Sequence, residues 1–274
     1  MLLACNIGNT NIAFGLFDEN RKVFHSKIAT VSEKTADEYA ILLSGLLDMY
    51  HVRPDAIDGA VIASVVRPMN AVLTEAVHKL TGIEALQVGP GVKTGLNIKT
   101  EIPSQLGADI VANCVAAGVI AEYPQVVLSM GTATTITGMN ARGELAGVMI
   151  CPGLDASLQM LAAKTAELPK VALDKPKALL GRNTVDAMVS GVVHGHAAMI
   201  EGLLGRIKKD WDVDQITVVA GGAYAEQVLP LIDQTCHVLY EPDLTLLGLK
   251  RIYQLSRRRK NNLARESDVE AKQL

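Results

Sequence analysis

One pattern occurs twice in this chain. "CNIGNTNIAF", Cys5 to Phe14, is an apolar run broken by a small polar turn and then resumed. "SMGTATTI", starting at Ser129, repeats that arrangement about half the chain later. Laid side by side, Gly8 falls on Gly131, Asn9 on Thr132, Asn11 on Thr134 and Asn6 on Ser129. Each copy continues into a second turn, "DENR" in one and "NARG" in the other, and then a third apolar run. Apolar runs bounded by turn residues read as strands. A strand-turn-strand-turn-strand meander present twice implies an internal duplication, and so two related domains.

Between and after the meanders, helical and strand patterns alternate. Residues 35–51 form a helical segment with Tyr39, Leu42, Leu43, Leu46 and Leu47 on one face. "GAVIASV" from Gly59 is a short buried strand, "RPMNAVLTEAVHKLTG" a helix ended by Gly82, and "EALQVG" a further strand. A helix follows over about 104–122. The second half offers a helix from Asp155, a long helix from Asn183, the strand "QITVVA", the strand "CHVLYE" and a closing helix, 243–258. This order predicts an α/β fold with parallel pairing. The domain limits read as 1–118 and 119–256, with the closing helix able to pack back on the first domain. Residues 257–274 read as a polar, frayed tail.

Composition narrows the function classes. The 274 residues are 49% hydrophobic and 20% charged, a globular balance. A formal net charge of −3 gives no field that would draw nucleic acid or an anionic membrane. Aromatics at 4% leave little for stacking on bases. No apolar run reaches the roughly 18 residues of a spanning helix, and no basic leader precedes the first strand. The four cysteines form no CxxC pair and read as buried, reduced side chains in a cytoplasmic protein.

The chemistry-bearing residues are few. Gly-Thr/Asn turns present backbone N–H groups and hydroxyls suited to phosphate oxygens, and glycine lets the backbone approach closely. Gly221-Gly222, at the end of a buried strand, leaves room for a flat ring or a phosphate. Asp109 in "GADIVAN" opens an apolar helix, where a carboxylate is either a general base or a charge favoured by the helix N-terminus. His194 and His196 sit two apart on a helix, point to different faces, and read as core or surface histidines rather than metal ligands. Arg257 to Lys260 read as a solvated helix end.

Taken together, "IGNTN", "GAD", "GTATT", "PGL…SL…L…TAELPKV", "GRNTVDAMVSG" and "EPDLTLLGL" resemble the type III pantothenate kinases over about residues 1–255. The resemblance implies two duplicated ribonuclease H-like domains of the acetate and sugar kinase/actin superfamily, with an interdomain nucleotide cleft. It implies ATP-dependent phosphorylation of pantothenate to 4′-phosphopantothenate, the first step towards coenzyme A, in a homodimer. ATP would be touched by Asn6, Ile7, Gly8, Asn9, Thr10, Asn11, Ile12 and Ala13, and by Thr132, with Gly221 and Gly222 nearby. Asp109 matches the general base. Gly107, Ala108 and Asp109 match the substrate segment, with Thr100, Ile110 and Thr184 at further substrate positions. A divalent cation (magnesium) and a monovalent one (potassium or ammonium) are implied, the latter at Ser129.

Four positions depart from the family pattern. "DIGNTN" becomes Asn6, "DFGTATT" becomes Ser129-Met130, "GADR" becomes Ile110, and a tyrosine after "IK" becomes Thr100. Two carboxylates that could hold cations and one guanidinium that could pair a substrate carboxylate are therefore missing. Three readings follow: a pantothenate kinase with altered metal dependence, a paralogue with a shifted substrate, and a nucleotide-binding regulatory protein.

Overall fold

The computed structural model describes residues 1–19, 21–232 and 236–271. Asn20 of the expected "DENR" turn and the last three residues of the expected tail lie outside the described residues. In chain order the strands and helices are β1 (Leu2–Ile7), β2 (Asn11–Asp18), β3 (Arg21–Ala29), α1 (Ala36–Met49), β4 (Gly59–Ser64), α2 (Met69–Thr81), β5 (Leu86–Gln87) and β6 (Asn97–Ile98). They continue as α3 (Ala108–Ile120), β7 (Gln125–Met130), β8 (Ala133–Met139), β9 (Glu144–Pro152), α4 (Leu154–Lys164), α5 (Thr184–Asp210), β10 (Thr217–Gly221), α6 (Ala225–Val228), β11 (His237–Tyr240) and α7 (Leu244–Ala271). The closing helix thus runs on to Ala271 rather than stopping near Arg258, through a stretch rich in Arg, Lys, Leu, Ala and Glu that favours helix.

Two units are present. The first holds residues 1–96, 102–116 and 245–274; the second holds 97–101 and 117–244. In the first, the strand order is β3-β2-β1-β4-β5. β1 to β3 form the antiparallel meander, and β4 and β5 add in parallel. In the second, the order is β11-β10-β7-β8-β9-β6. Its β9-β8-β7-β10-β11 portion repeats the first sheet strand for strand, with the same parallel and antiparallel senses. β6 is an addition, pairing in parallel with the outer edge of β9. The duplication read from two short turns therefore holds at the level of whole sheets.

Local sequence explains the helices of the first unit. Thr35 caps α1 with a capping box: its Oγ1 accepts from Glu38 N (3.3 Å), and Glu38 Oε2 accepts from Thr35 N (2.8 Å). Tyr39, Leu43 and Leu47 are buried at the i, i+4, i+8 spacing of one face, whereas Leu42, predicted to share it, is exposed. α2 ends at Gly82, whose φ is 70°. The unit has two apolar layers. One sets α1 and α2 against Leu3, Cys5, Phe14 and Leu16; the other sets Leu246, Leu249 and Ile252 of α7 against Ala4, Phe17, Val61 and Ala63.

In the second unit α5 is the core helix. Its Val189, Val193, Ala197, Ile200 and Leu204 pack with Val126, Leu128, Met130 and Ile136 of β7 and β8. By length and composition α5 could cross a membrane, but this packing accounts for its apolar face. Of the four cysteines, all free, Cys5 and Cys114 are buried as expected, while Cys151 and Cys236 are only half-buried. Cys151 follows the alternation of an edge-side strand, and Cys236 sits at the entry to β11.

Candidate functional site

The first turn closes on itself. Gly8 N donates to Asn11 O (3.0 Å), above the register pairs Ile7–Ile12 and Asn6–Ala13. Ile7 and Ile12 are wholly buried and anchor it, Ala13 is half-buried, and Asn9, Thr10 and Asn11 are exposed at its tip. Thr30, just past β3, braces it twice: Oγ1 donates to Gly8 O (2.7 Å) and N donates to Thr10 O (3.0 Å). Asn6 Oδ1 is buried without a hydrogen-bond partner. That orphaned acceptor stands where the family pattern has a carboxylate.

Asp109 lies in the first turn of α3, half-buried. Its Oδ1 accepts from Ile110 N (2.9 Å). Burial pushes its carboxyl above the ordinary 3.8, against the lowering effect of the Ile110 and Asp109 backbone N–H groups. Gly107 sits against this carboxylate: a β-carbon there would collide with Asp109 Oδ1 and lie 3.5 Å from Val65 Cγ1. Val65 N also donates to Ile7 O (3.1 Å), so one residue links the base of the first turn to the Gly107–Asp109 corner. Ala108 is half-buried and Ile110 is 7% exposed.

The second turn differs from the first by one residue. Gly131 N donates to Ala133 O (3.0 Å) above the pair Met130–Thr134. Asn11 therefore corresponds to Ala133, not to Thr134 as an ungapped comparison gives. Asn6 and Ser129 do correspond, each one step below the last register pair. Two glycines pack on this turn. Gly153, capping α4, donates its N–H to Thr132 O (3.2 Å), and a β-carbon on it would lie 2.5 Å from that oxygen. Gly222 has φ of 100°, and a β-carbon on it would lie 2.6 Å from Met130 N. Tyr224 N donates to Met130 O (3.1 Å). Thr132 is left exposed at the tip, Gly221 pairs with Ser129 in the sheet, and Ser129 is half-buried.

Two candidates remain in the second unit, Thr184 and Thr100. Thr184 is exposed as the first residue of α5, after the N-cap Asn183, whose Oδ1 accepts from Asp186 N (2.9 Å). Thr100 has its Oγ1 buried without a partner, next to Lys99, which pairs with Glu144 at 3.3 Å. Thr30, Val65 and Gly153 were not singled out from the sequence. Their roles depend on contacts with residues 20 or more positions away, and no local pattern reports those.

Each turn offers an exposed tip of backbone N–H groups and hydroxyls on a braced base, a donor set suited to phosphate oxygens. At the positions of Asn6 and Ser129 a cation held by protein carboxylates does not fit. Among the described residues no three His, Cys, Asp or Glu side chains converge, and Asn6 and Ser129 offer only neutral oxygens.

Comparison with known proteins agrees with the motifs. The family model for type III pantothenate kinase matches residues 2–206. A type III pantothenate kinase of Streptomyces coelicolor is 40% identical over 264 residues, covering 93% of this chain and 98% of the relative. The chain belongs to the type III pantothenate kinase family. A type III pantothenate kinase of Halalkalibacterium halodurans is 36% identical over 254 residues, covering 93% of this family member and 99% of the relative. Among solved structures, the activator of 2-hydroxyisocaproyl-CoA dehydratase from Clostridium difficile, with bound ADPNP, has a TM-score of 0.58 at 11% identity, over 95% and 97% of the two chains. Component A of (R)-2-hydroxyglutaryl-CoA dehydratase from Acidaminococcus fermentans has a TM-score of 0.54 at 12% identity, over 92% and 96%. These two likenesses speak to fold alone. The family member is an α/β protein of two duplicated ribonuclease H-like units, as its motifs implied.

Proposed function

We propose that the protein transfers the γ-phosphate of ATP to the hydroxyl of pantothenate, giving 4′-phosphopantothenate and ADP. The observation that carries this reading is membership of the family along almost the whole chain, with Asp109 retained at the start of α3. In the step, the pantothenate hydroxyl oxygen bonds to the γ-phosphorus, the bond from that phosphorus to the β,γ-bridging oxygen breaks, and the hydroxyl proton passes to Asp109. A carboxyl raised by burial is a stronger proton acceptor than a solvated one.

The segment Asn6–Ala13, Thr132, Gly221 and Gly222 would hold the nucleotide. Gly107, Ala108, Ile110, Thr100 and Thr184 would shape the pantothenate pocket. Magnesium would come bound to the ATP phosphates, and Ser129 leaves a potassium or ammonium site without its carboxylate. No step is assigned to either cation. The family resemblance supports a homodimer, and the reaction belongs in the cytoplasm, where ATP is available.

A second reading is a nucleotide-binding paralogue, catalytically weakened or shifted in substrate, that acts in regulation. Asn6, Ser129 and Ile110 favour it, because phosphoryl transfer depends on charge neutralised at the phosphates. The deciding assay gives the purified protein ATP, magnesium, ammonium and pantothenate and measures phosphopantothenate. Turnover well above an Asp109→Ala control supports the kinase. Turnover no higher than that control, with a non-hydrolysable ATP analogue still bound in calorimetry, supports the paralogue.

A further inference from the structure

Thr134 and His196 form a buried polar pair that neither the phosphate turn nor the hydrophobic core requires. Thr134 Oγ1 and His196 Nε2 are 2.7 Å apart, with Thr134 0% and His196 6% exposed. Around them α5 packs on β7 and β8 through aliphatic side chains. Burial lowers the His196 pKa below its ordinary 6.5, so the ring is neutral at physiological pH and one ring nitrogen remains an acceptor. The duplicated sheet supplies an internal control. The register position equivalent to Thr134 in the first unit is Ile12, wholly buried among apolar neighbours. A purely apolar solution at this point of the fold therefore exists in the same molecule.

Thr134 is the first residue after the second turn to pair with β7, opposite Met130, and on its other side it pairs with Cys151 of β9. The turn is already held at Met130 by Tyr224 N and at Thr132 by Gly153 N. His196 supplies a third hold, at the turn's exit. An apolar contact at that point would resist separation but not sliding or rotation. A hydrogen bond to a β-branched hydroxyl also fixes the χ1 rotamer, and with it the backbone direction leaving the turn. The same helix, α5, begins at Thr184.

We propose that His196 is a positioning residue: through Thr134 it fixes the exit of the Gly131–Thr132 turn, and so the orientation of the groups that meet the nucleotide phosphates. The nucleotide part of this proposal rests on the kinase reading; the fixing of the turn does not.

The test uses the full chain and three variants. His196→Leu removes the ring nitrogens, Thr134→Val removes the hydroxyl from the other side with little change of shape, and His196→Gln returns an amide near the Nε2 position. Amide hydrogen exchange without nucleotide is the first readout. The Leu and Val variants should speed exchange in residues 130–135 on the order of tenfold, with α5 and β10 unchanged and the Gln variant close to wild type. The second readout is a KM for ATP raised by about the same factor, with KM for pantothenate held. If the wild type does not turn over, the dissociation constant of a non-hydrolysable ATP analogue replaces it. Unchanged exchange in the turn overturns the proposal, as does exchange that rises equally across α5 and β10. Faster turn exchange without weaker nucleotide binding overturns only its nucleotide part.

Discussion

Gly107 leaves its β-position to the Asp109 carboxylate: a β-carbon there would occupy the space that Oδ1 now fills. The obstacle is the end of a side chain rather than backbone, so the chain can relieve it by turning the carboxylate away. Gly107→Ala should therefore leave stability nearly unchanged and turn aside the carboxylate proposed above as the base. A displacement of about 1 Å at a reacting group costs on the order of 10²-fold in kcat. Steady-state kinetics should show that loss with KM for ATP unaltered; normal kcat would mean that the carboxylate orientation does not matter to the reaction.

If Asp109 acts as the proposed base, the same carboxylate links activity to stability. Its folded pKa lies above 3.8, so the folded state holds the proton more tightly than the unfolded chain does. Ionised, the carboxylate costs stability. That cost is fully present above the folded pKa and vanishes as pH falls below 3.8. Asp109→Asn, which keeps an acceptor for Ile110 N, should be more stable than wild type at pH 7 and no different near pH 3. It should also lose roughly 10²–10⁴-fold in kcat. Urea melts at the two pH values, beside the phosphopantothenate assay, check both halves.

Gln125 opens β7 wholly buried, with neither its amide oxygen nor its amide nitrogen hydrogen-bonded. An unsatisfied buried polar group costs roughly 1–3 kcal/mol. Gln125→Met keeps length and flexibility and removes both polar atoms. It should raise unfolding free energy by roughly 1–3 kcal/mol. A fall in urea midpoint would mean that the amide has partners.

Asn6→Asp tests the missing charge. With the acceptor buried and unpartnered, a carboxylate there would have no compensating cation in metal-free solution. The variant should melt below wild type in chelator and recover more than wild type does on adding magnesium and ATP. Equal shifts in both proteins would mean that no cation reaches this position.

Much of this was readable from residue order. The repeated Gly-Asn/Thr turn announced the duplication, and the apolar periodicity of α1 announced its core face. What escaped was non-local or a matter of register. The one-residue difference between the turns is invisible without the pairing of Ile7 with Ile12 and Met130 with Thr134. "HGH" read as two unrelated core or surface histidines, because the partner that gives His196 its meaning lies 62 residues away. "EALQVG" shrank to Leu86–Gln87, since one short parallel pairing with β4 is all its neighbours provide.

The two units are related by duplication, yet the chain no longer runs through them one after the other. It passes between them after residues 96, 101, 116 and 244. A fragment ending at residue 118 would contain all five strands of the first sheet and Ala112 and Val115 of α3, yet leave the layer around Ala4, Phe17, Val61 and Ala63 incomplete, because Leu246, Leu249 and Ile252 come from α7. Synthesis from the N-terminus must therefore wait for the last helix before the first half can close its second apolar layer. Each half of the sequence therefore lacks a stretch that its unit uses: the first lacks α7, and the second lacks residues 97–101.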